Sequence, residues 1–350
     1  MIIRTVIAAL LSVPALFLTV RHNMHMFQLN GYKNDEQISW LKKNLRQQWL
    51  LVAGLILGFL RLFLPFLALD ILIFLILILD ILVYRALLRL NTKKKLVYTA
   101  RVKRMLITMA VLICIVIALT FCFAGVRPMT GVFLILVSVQ LFMDILANII
   151  NHPIEKGIND HYINDAKHRL KDAEDLKIIG VTGSYGKTSM KFFLNELLKS
   201  RYNVLMTPGN FNTPLGITIT VRSHLKPTHE IFICEMGARR VGEIKEICDI
   251  VDPDIGVITA VGPQHLETFL SIENIRKTKF ELADALPEGG MLFLNGDNDL
   301  IREKALGYPD SILYLSKKEG EGYRAKDIQL SRFGTDFTVE TPDGESVRFQ

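Results

Sequence analysis

Lys177-Ile178-Ile179-Gly180-Val181-Thr182-Gly183-Ser184-Tyr185-Gly186-Lys187-Thr188-Ser189 is the stretch on which the reading of this 350-residue chain turns. Its first six residues are an apolar run suited to a buried parallel strand; a glycine-rich loop follows at once, and a helical pattern then runs to about Ser200. Strand, loop and helix in that order make a phosphate cradle. Glycine lets backbone N–H groups approach an anion, and a helix N-terminus carries positive partial charge. Gly183, Ser184, Tyr185, Gly186, Lys187, Thr188 and Ser189 form this cradle, Lys187 can reach the β- and γ-phosphates, and the Thr188 hydroxyl can ligate magnesium. The implied ligands are ATP and Mg2+. The implied fold is an α/β P-loop domain with a mostly parallel sheet flanked by helices. The strict motif would put glycine at position 181; Val181 stands there, between Gly180 and Gly183, so only a shortened form holds.

Upstream the composition changes. Up to about residue 150 the chain consists of long apolar runs split by short basic stretches, whereas from Asn151 onward charge, glycine and alternating apolar residues mix as in soluble α/β domains. A bilayer core takes about 20 mostly apolar residues in helical form. Five runs qualify, roughly 5–20, 48–67, 69–88, 105–125 and 130–150. The expected organisation is an α-helical transmembrane region of about five helices over 1–150, a linker over 151–176 and an ATP-binding domain over 177–350. No small-x-small cleavage signal stands near Val20, so the first run reads as a retained span rather than a signal peptide.

The formal net charge is +6, but the cations are not arranged as a nucleic-acid surface. Arg21, Lys33, Lys42, Lys43 and Arg46 gather in 21–48 against Asp35 and Glu36, and Lys93, Lys94, Lys95, Arg101, Lys103 and Arg104 gather in 91–104 with no acid. Between closely spaced spans such clusters mark the cytoplasmic side, and no nucleic-acid partner is expected. The N-terminus then lies outside and everything after residue 150 in the cytoplasm, as in a multi-pass cell-membrane protein. Among charges in or near the spans, Asp70 reads as a turn residue and Arg85 as snorkelling, which leaves Arg61 and Asp80 as possible partners. Cys114, Cys122, Cys234 and Cys248 show neither paired spacing nor a nearby histidine at ligand spacing, against a disulfide framework or a zinc site.

Downstream of the cradle, Glu235 follows Ile231-Phe232-Ile233-Cys234, so it falls at the carboxyl end of a parallel strand, where α/β sheets bind ligands. A carboxylate there can hold magnesium; a buried or capping glutamate is the plainer alternative. His265 follows Ile255-Gly256-Val257-Ile258-Thr259-Ala260 on a glycine-proline loop at a second strand end, where neutral imidazole can bind a metal or simply be exposed. Asn295 and Asp297 follow Met291-Leu292-Phe293-Leu294, and Asn-Gly-Asp also suits a β-turn. Phe337-Thr338-Val339-Glu340 and Ser346-Val347-Arg348-Phe349, joined by Pro342-Asp343-Gly344-Glu345, read as two strands and a turn.

Thr182-Gly183 with Gly186-Lys187-Thr188, then Thr207-Pro208-Gly209-Asn210-Phe211-Asn212, Glu235-Met236-Gly237-Ala238, Gly262-Pro263-Gln264-His265-Leu266-Glu267 and Leu294-Asn295-Gly296-Asp297, occur in the order and at roughly the spacing of the Mur ligases. Residues from about 175 to 350 therefore resemble that family, and the fold implied is its central domain. The resemblance implies transfer of the ATP γ-phosphoryl to a substrate carboxylate, giving an acyl-phosphate that an amine attacks to form an amide. Within the family the segments look most like members that add D-alanyl-D-alanine to UDP-N-acetylmuramoyl-tripeptide in peptidoglycan synthesis. The implied partners are a UDP-muramoyl-peptide or related cell-wall precursor, a D-amino-acid dipeptide and, at the membrane, other cell-wall enzymes. The resemblance implies Lys187, His265 and Lys279 as catalytic residues and Thr188, Glu235, His265 and Lys279 as the magnesium set. Lys279 would act as a carbamate, with Lys277 the competing register. Asn295 and Asp297 would meet the nucleotide, and Asn210, Asn212 and Thr213 the sugar-peptide substrate.

The family's soluble UDP-binding domain is replaced by membrane spans, and nothing after the final strands resembles its third domain, which binds the incoming amine and closes over ATP. The expectation is a truncated reading of a longer gene, with that C-terminal domain absent. Two other readings stay open: another amide ligase on the same scaffold, such as a polyglutamate synthetase, and a non-catalytic ATP-binding membrane scaffold. A transporter is disfavoured by the lack of a clear internal repeat.

Overall fold

The N-terminal helix holds through Pro14 and the polar residues that follow Val20, and ends only at Asn30-Gly31. The computed structural model describes residues 1–64, 66–89, 95–332 and 334–349. The chain divides into two units, Met1–Gly157 and Ile158–Gln350. The first holds α1 (Ile2–Leu29), α2 (Asn34–Asn44), a 3₁₀ turn (Leu45–Gln48), α3 (Trp49–Phe63), α4 (Leu67–Arg89), α5 (Ala100–Ala124), α6 (Met129–Ser138) and most of α7 (Gln140–Lys171). Three of these, α1, α4 and α5, are long and apolar enough to cross a membrane by themselves. The runs expected at 48–67 and 130–150 instead belong to bent pairs, α2 with α3 and α6 with α7, and five spans result only if each pair counts as one. The stretch 151–176 assigned to a linker is helical as far as Lys171, since α7 continues through it with Pro153 inside the helix. Of the basic segment 91–104, residues 91–94, including Lys93 and Lys94, lie outside the described residues.

Small residues decide how closely the apolar helices approach. A Cβ on Gly54 would fall 2.5 Å from Ser138 Oγ, and one on Gly58 would fall 2.6 Å from Ile135 Cγ1. This Gly-x-x-x-Gly pair lets α3 lie against α6, the usual device where lipid supplies no hydrophobic drive. Asp70 is not in a turn, as expected, but in the first turn of α4 with no exposed surface. The antiparallel return of α4 along α3 brings its carboxylate 2.6 Å from Arg61 Nε; Arg4 approaches to 3.0 Å and the Thr130 hydroxyl donates at 3.1 Å. Arg61 thus pairs with Asp70, not with Asp80.

The second unit is one nine-stranded sheet. It is built from β1 (Lys177–Thr182), α8 (Lys187–Leu198), β2 (Val204–Met206), α9 (Pro214–His224), β3 (Ile231–Glu235), α10 (Glu243–Val251), β4 (Ile255–Ile258), α11 (Leu266–Phe269), α12 (Ile272–Asp284), β5 (Met291–Asn295), α13 (Asp299–Ala305), β6 (Ile312–Leu315), β7 (Tyr323–Ser331), β8 (Gly334–Glu340) and β9 (Ser346–Phe349). The order is β2-β3-β1-β4-β5-β6-β7-β8-β9, parallel from β2 to β7 and antiparallel through the last two pairings. Side chains of β1 alternate between the faces: Ile178 joins the apolar layer containing Met236, Ile247 and Leu282, while Ile179 and Val181 join the one with Met190 and Leu194. Val181 is fully buried opposite Glu235, which is why valine stands where the strict motif has glycine: the strand still runs there. Gly180 leaves room for α12, since a Cβ would fall 2.7 Å from Leu282 Cδ1. The chain leaves β1 toward β2 and leaves β4 toward β5, so the sheet changes winding direction between β1 and β4. A crevice at the strand carboxyl ends of such a point is where open α/β sheets bind ligands.

Candidate functional site

The loop between β1 and α8 is shaped by two glycines. Gly183 has φ +148° and its missing Cβ would meet Thr259 Oγ1 at 2.1 Å; Gly186, at φ +81°, is the N-cap of α8. The first N–H groups of α8 have no intrahelical acceptor and face the loop, the arrangement that binds phosphate. The Lys187 ammonium donates to the Gly183 carbonyl at 2.6 Å. Burial lowers its pKa, and Glu235 pulls it partly back. Thr188 and Ser189 are exposed in the first turn. Ser184 and Tyr185 brace the cradle. The Ser184 N–H donates to the Ala260 carbonyl at 2.7 Å and its buried hydroxyl to the Gly262 carbonyl at 3.0 Å, while the Tyr185 ring covers Gly262.

Parallel pairing of β3 with β1 carries Glu235 to this loop. Its Oε1 accepts from the Thr188 hydroxyl and from Asn212 Nδ2, each at 3.1 Å. Its Oε2 lies 2.9 Å from Lys191 Nζ, both side chains being buried. Lys191 also donates to the Gly209 carbonyl at 2.7 Å. Lys191 was not singled out in the sequence: one turn past Thr188 it reads as an ordinary helix lysine, and only the packing of β3 gives it a partner. Of the three loop residues expected at a substrate, Asn212 reaches the site, Thr213 caps α9 by accepting from the Gly216 N–H at 3.3 Å, and Asn210 is exposed. Gly237 makes room for Asn212, because a Cβ there would fall 2.8 Å from Asn212 Cγ.

His265 holds a left-handed backbone, φ +56° and ψ +37°, at the start of α11. A non-glycine residue there stores strain of the order of 1 kcal/mol, which is found disproportionately at functional positions. Burial, then Arg239, Lys279 and Lys187, lower its pKa, opposed by Glu243, so the imidazole is neutral at pH 7. Lys279 is 2% exposed on α12, whereas Lys277 faces solvent. Burial and the neighbouring Lys187 bring the Lys279 pKa down to about 8, against the pull of Glu281 and Glu243. A lysine with so low a pKa has a sizeable neutral fraction, the form that reacts with carbon dioxide. Lys187, His265 and Lys279 thus share one electrostatic neighbourhood, with Arg239 and Glu243 as members the sequence did not mark.

Asn295 and Asp297 are engaged with the protein itself. Asn295 Nδ2 donates to the Thr259 carbonyl at 2.8 Å, tying β5 to the loop after β4. Partial burial alone would raise the Asp297 carboxyl. The Ser316 hydroxyl and the N–H groups of Lys318, Lys317 and Ser316 outweigh it and bring the pKa down to about 2.

Among the described residues, no group of three or more His, Cys, Asp or Glu side chains could hold a metal ion. Magnesium needs less, since it keeps several waters and takes one or two protein oxygens beside substrate phosphates. Thr188 Oγ1 and Glu235 Oε1, in contact at the mouth of the phosphate loop, fit that requirement. His265 and Lys279 fit a second cation only once Lys279 carries an acidic adduct, because an ammonium repels it.

The sequence model of the Mur ligase middle domain matches residues 181–350. The UDP-N-acetylmuramoyl-tripeptide--D-alanyl-D-alanine ligase of Bacillus subtilis is 35% identical over 168 residues, which are 47% of this chain and 35% of that protein. The protein of the same name from Mycobacterium tuberculosis H37Rv is 41% identical over 175 residues, 50% of this chain and 34% of that one. The structure of MurF ligase from Thermotoga maritima in complex with ADP is 32% identical with a TM-score of 0.49, covering 54% of this chain and 44% of that chain. The chain thus spans about a third of the length of the curated relatives it matches. Residues 181–350, with their phosphate loop and the carboxylate that closes it, are a Mur ligase middle domain.

Proposed function

We propose that this chain is a membrane-anchored, ATP-dependent amide ligase of peptidoglycan precursor synthesis, joining D-alanyl-D-alanine to UDP-N-acetylmuramoyl-tripeptide. The observation that carries this reading is the assembly of Lys187, Thr188, Glu235 and Asn212 in one crevice of a Mur ligase middle domain, with the Thr188 and Asn212 hydrogen bonds meeting on one Glu235 oxygen. The named relatives give the substrate pair.

In this mechanism the loop N–H groups and Lys187 hold the triphosphate and offset charge on the transferred γ-phosphoryl, so that positioning and electrostatics supply most of the rate. Thr188 and Glu235 would hold a magnesium ion, which would supply positive charge against the phosphates. The substrate carboxylate attacks the γ-phosphorus, the bond to the β-phosphate oxygen breaks, and an acyl-phosphate forms. The dipeptide amine then attacks the acyl carbon, phosphate leaves with the electron pair of the C–O bond, and the amine loses its proton. Neutral His265 and a carbamate on Lys279 supply oxygen and nitrogen donors beside the acyl-phosphate. Asn212 links the substrate loop to Glu235, and Asn210 and Thr213 extend that surface. Asn295 and Asp297 shape the floor beneath the nucleotide.

The helices α1, α4 and α5, with the bent pairs, anchor the chain, and the basic segments set the domain on the cytoplasmic side. The test is phosphate release by the full chain in membranes with magnesium, with and without the tripeptide precursor and D-alanyl-D-alanine. Release that needs both substrates and vanishes in Lys187→Ala supports the ligase. ATP binding with no substrate-stimulated release defeats it and favours a nucleotide-binding scaffold.

A further inference from the structure

The buried stripe of α4 is Asp70, Ile73, Leu77, Asp80 and Tyr84. Asp70 is neutralised by two arginines, but Asp80, with no exposed surface, has no hydrogen-bond partner on either carboxylate oxygen. An unpaired carboxylate among apolar helices is costly enough to require a counter-charge or a proton.

Contacts on either side show what its helix packs against. One turn before Asp80, Ile76 lies beside α3 and the end of α6: a Cβ on Gly54 would fall 3.6 Å from Ile76 Cγ2 and 2.5 Å from Ser138 Oγ. One turn after it, the Tyr84 ring lies 5.4 Å from that of His22, next to Asn23 on α1. Along α4, Asp80 thus lies between the contact with the Ser138 end of α6 and the contact with His22 on α1. Three more buried oxygens on the helices that pack around α4 lack a donor: Asn23 Oδ1 on α1, Ser138 Oγ on α6 and Gln140 Oε1 on α7. The amide nitrogens are spent elsewhere, since Asn23 Nδ2 donates to the Gln140 carbonyl at 3.1 Å and Gln140 Nε2 to the Leu136 carbonyl at 2.9 Å. Here too the helix is broken, with α6 and α7 meeting at 71° between Ser138 and Gln140. The carbonyl end of α6 carries negative partial charge, and broken helices inside a membrane recur where small cations are coordinated.

We propose that the membrane unit binds a monovalent alkali cation in this layer, held by the Asp80 carboxylate with Asn23 Oδ1, Ser138 Oγ and Gln140 Oε1. A proton on Asp80 would satisfy one of these acceptors, whereas a cation serves several at once. A divalent ion would leave net positive charge buried beside a single carboxylate, which the low dielectric penalises. The ion ties α1 and α4 to the α6–α7 break.

Both tryptophans, Trp40 and Trp49, lie in this unit and report its unfolding. The full chain, purified in detergent, is melted by tryptophan fluorescence in choline, lithium, sodium and potassium chloride at constant ionic strength. A saturable upward shift of several degrees with at least one alkali cation, absent in choline and lost in Asp80→Asn, is the expected result. Ser138→Ala, which keeps the close approach to Gly54, should move saturation to about tenfold higher cation, a loss of about 1.4 kcal/mol. Identical midpoints in all salts would overturn the proposal in favour of a protonated carboxyl. A cation-dependent shift that survives Asp80→Asn, or a saturation curve unmoved by Ser138→Ala, would overturn it equally.

Discussion

Replacing Lys191 by methionine keeps most of the side-chain volume but removes an ammonium 2.9 Å from Glu235 Oε2 and 2.7 Å from the Gly209 carbonyl. Both partners are essentially out of contact with solvent, at 0% and 2% exposure, so water cannot take the place of the lost charge. Removing one member of such a buried pair costs about 3–5 kcal/mol. Thr188 and Asn212 still donate to the other oxygen, so the site is not emptied of partners. The assay is urea unfolding of the full chain in detergent, read by amide exchange of β1 and β3. Lys191→Met should lower stability by that amount, and adding Glu235→Gln to it should recover most of the loss, because the amide carries no charge to strand. Magnesium should raise the stability of Lys191→Met more than that of the parent, since the unmatched carboxylate attracts it. A Lys191→Met chain within about 1 kcal/mol of the parent, or a double variant no more stable than the single one, would refute the reasoning.

Gly183→Ala should abolish ATP binding, measured by calorimetry, because its Cβ would sit 2.1 Å from Thr259 Oγ1 at a backbone angle that alanine resists. Folding pulls the Lys279 pKa from 10.5 to about 8, so between those values the unfolded chain holds a proton the folded chain lacks, and stability rises with pH. Relative to Lys279→Met, the parent should gain roughly 3 kcal/mol across that window, and carbon-13 bicarbonate should give a carbamate NMR signal in the parent alone. Asp297, held at about 2, stabilises the fold above its unfolded pKa, and that contribution is lost as pH falls toward 2. Asp297→Asn should therefore be less stable at pH 7, with a flatter acid-unfolding profile below pH 4, and should speed amide exchange at residues 316–318.

What the sequence determined by itself is what is written in contiguous residues. The run from Lys177 to Thr182 is a strand and Gly183 to Ser189 a loop entering a helix, because apolar alternation, glycine and helix entry all act over a few neighbouring positions. Glu235 and His265 were legible at strand ends for the same reason. Position across the sheet was not legible. Nothing near Lys191 announces that β3 lies beside β1, yet that pairing gives the lysine its carboxylate. Lys277 and Lys279 are two residues apart on one helix and so face about 200° away from each other, and only packing on the sheet decides that Lys279 is buried. Asn295 and Asp297 fit a turn or a ligand equally well until the Thr259 carbonyl engages the first and the loop at Ser316 closes on the second. In the N-terminal unit, hydropathy found the apolar runs but not which charges meet. The antiparallel return of α4 along α3 joins Arg61 to Asp70 and leaves the Asp80 carboxylate without a hydrogen-bond partner, since electrostatic partnership depends on distance in space, which hydropathy along the chain does not encode.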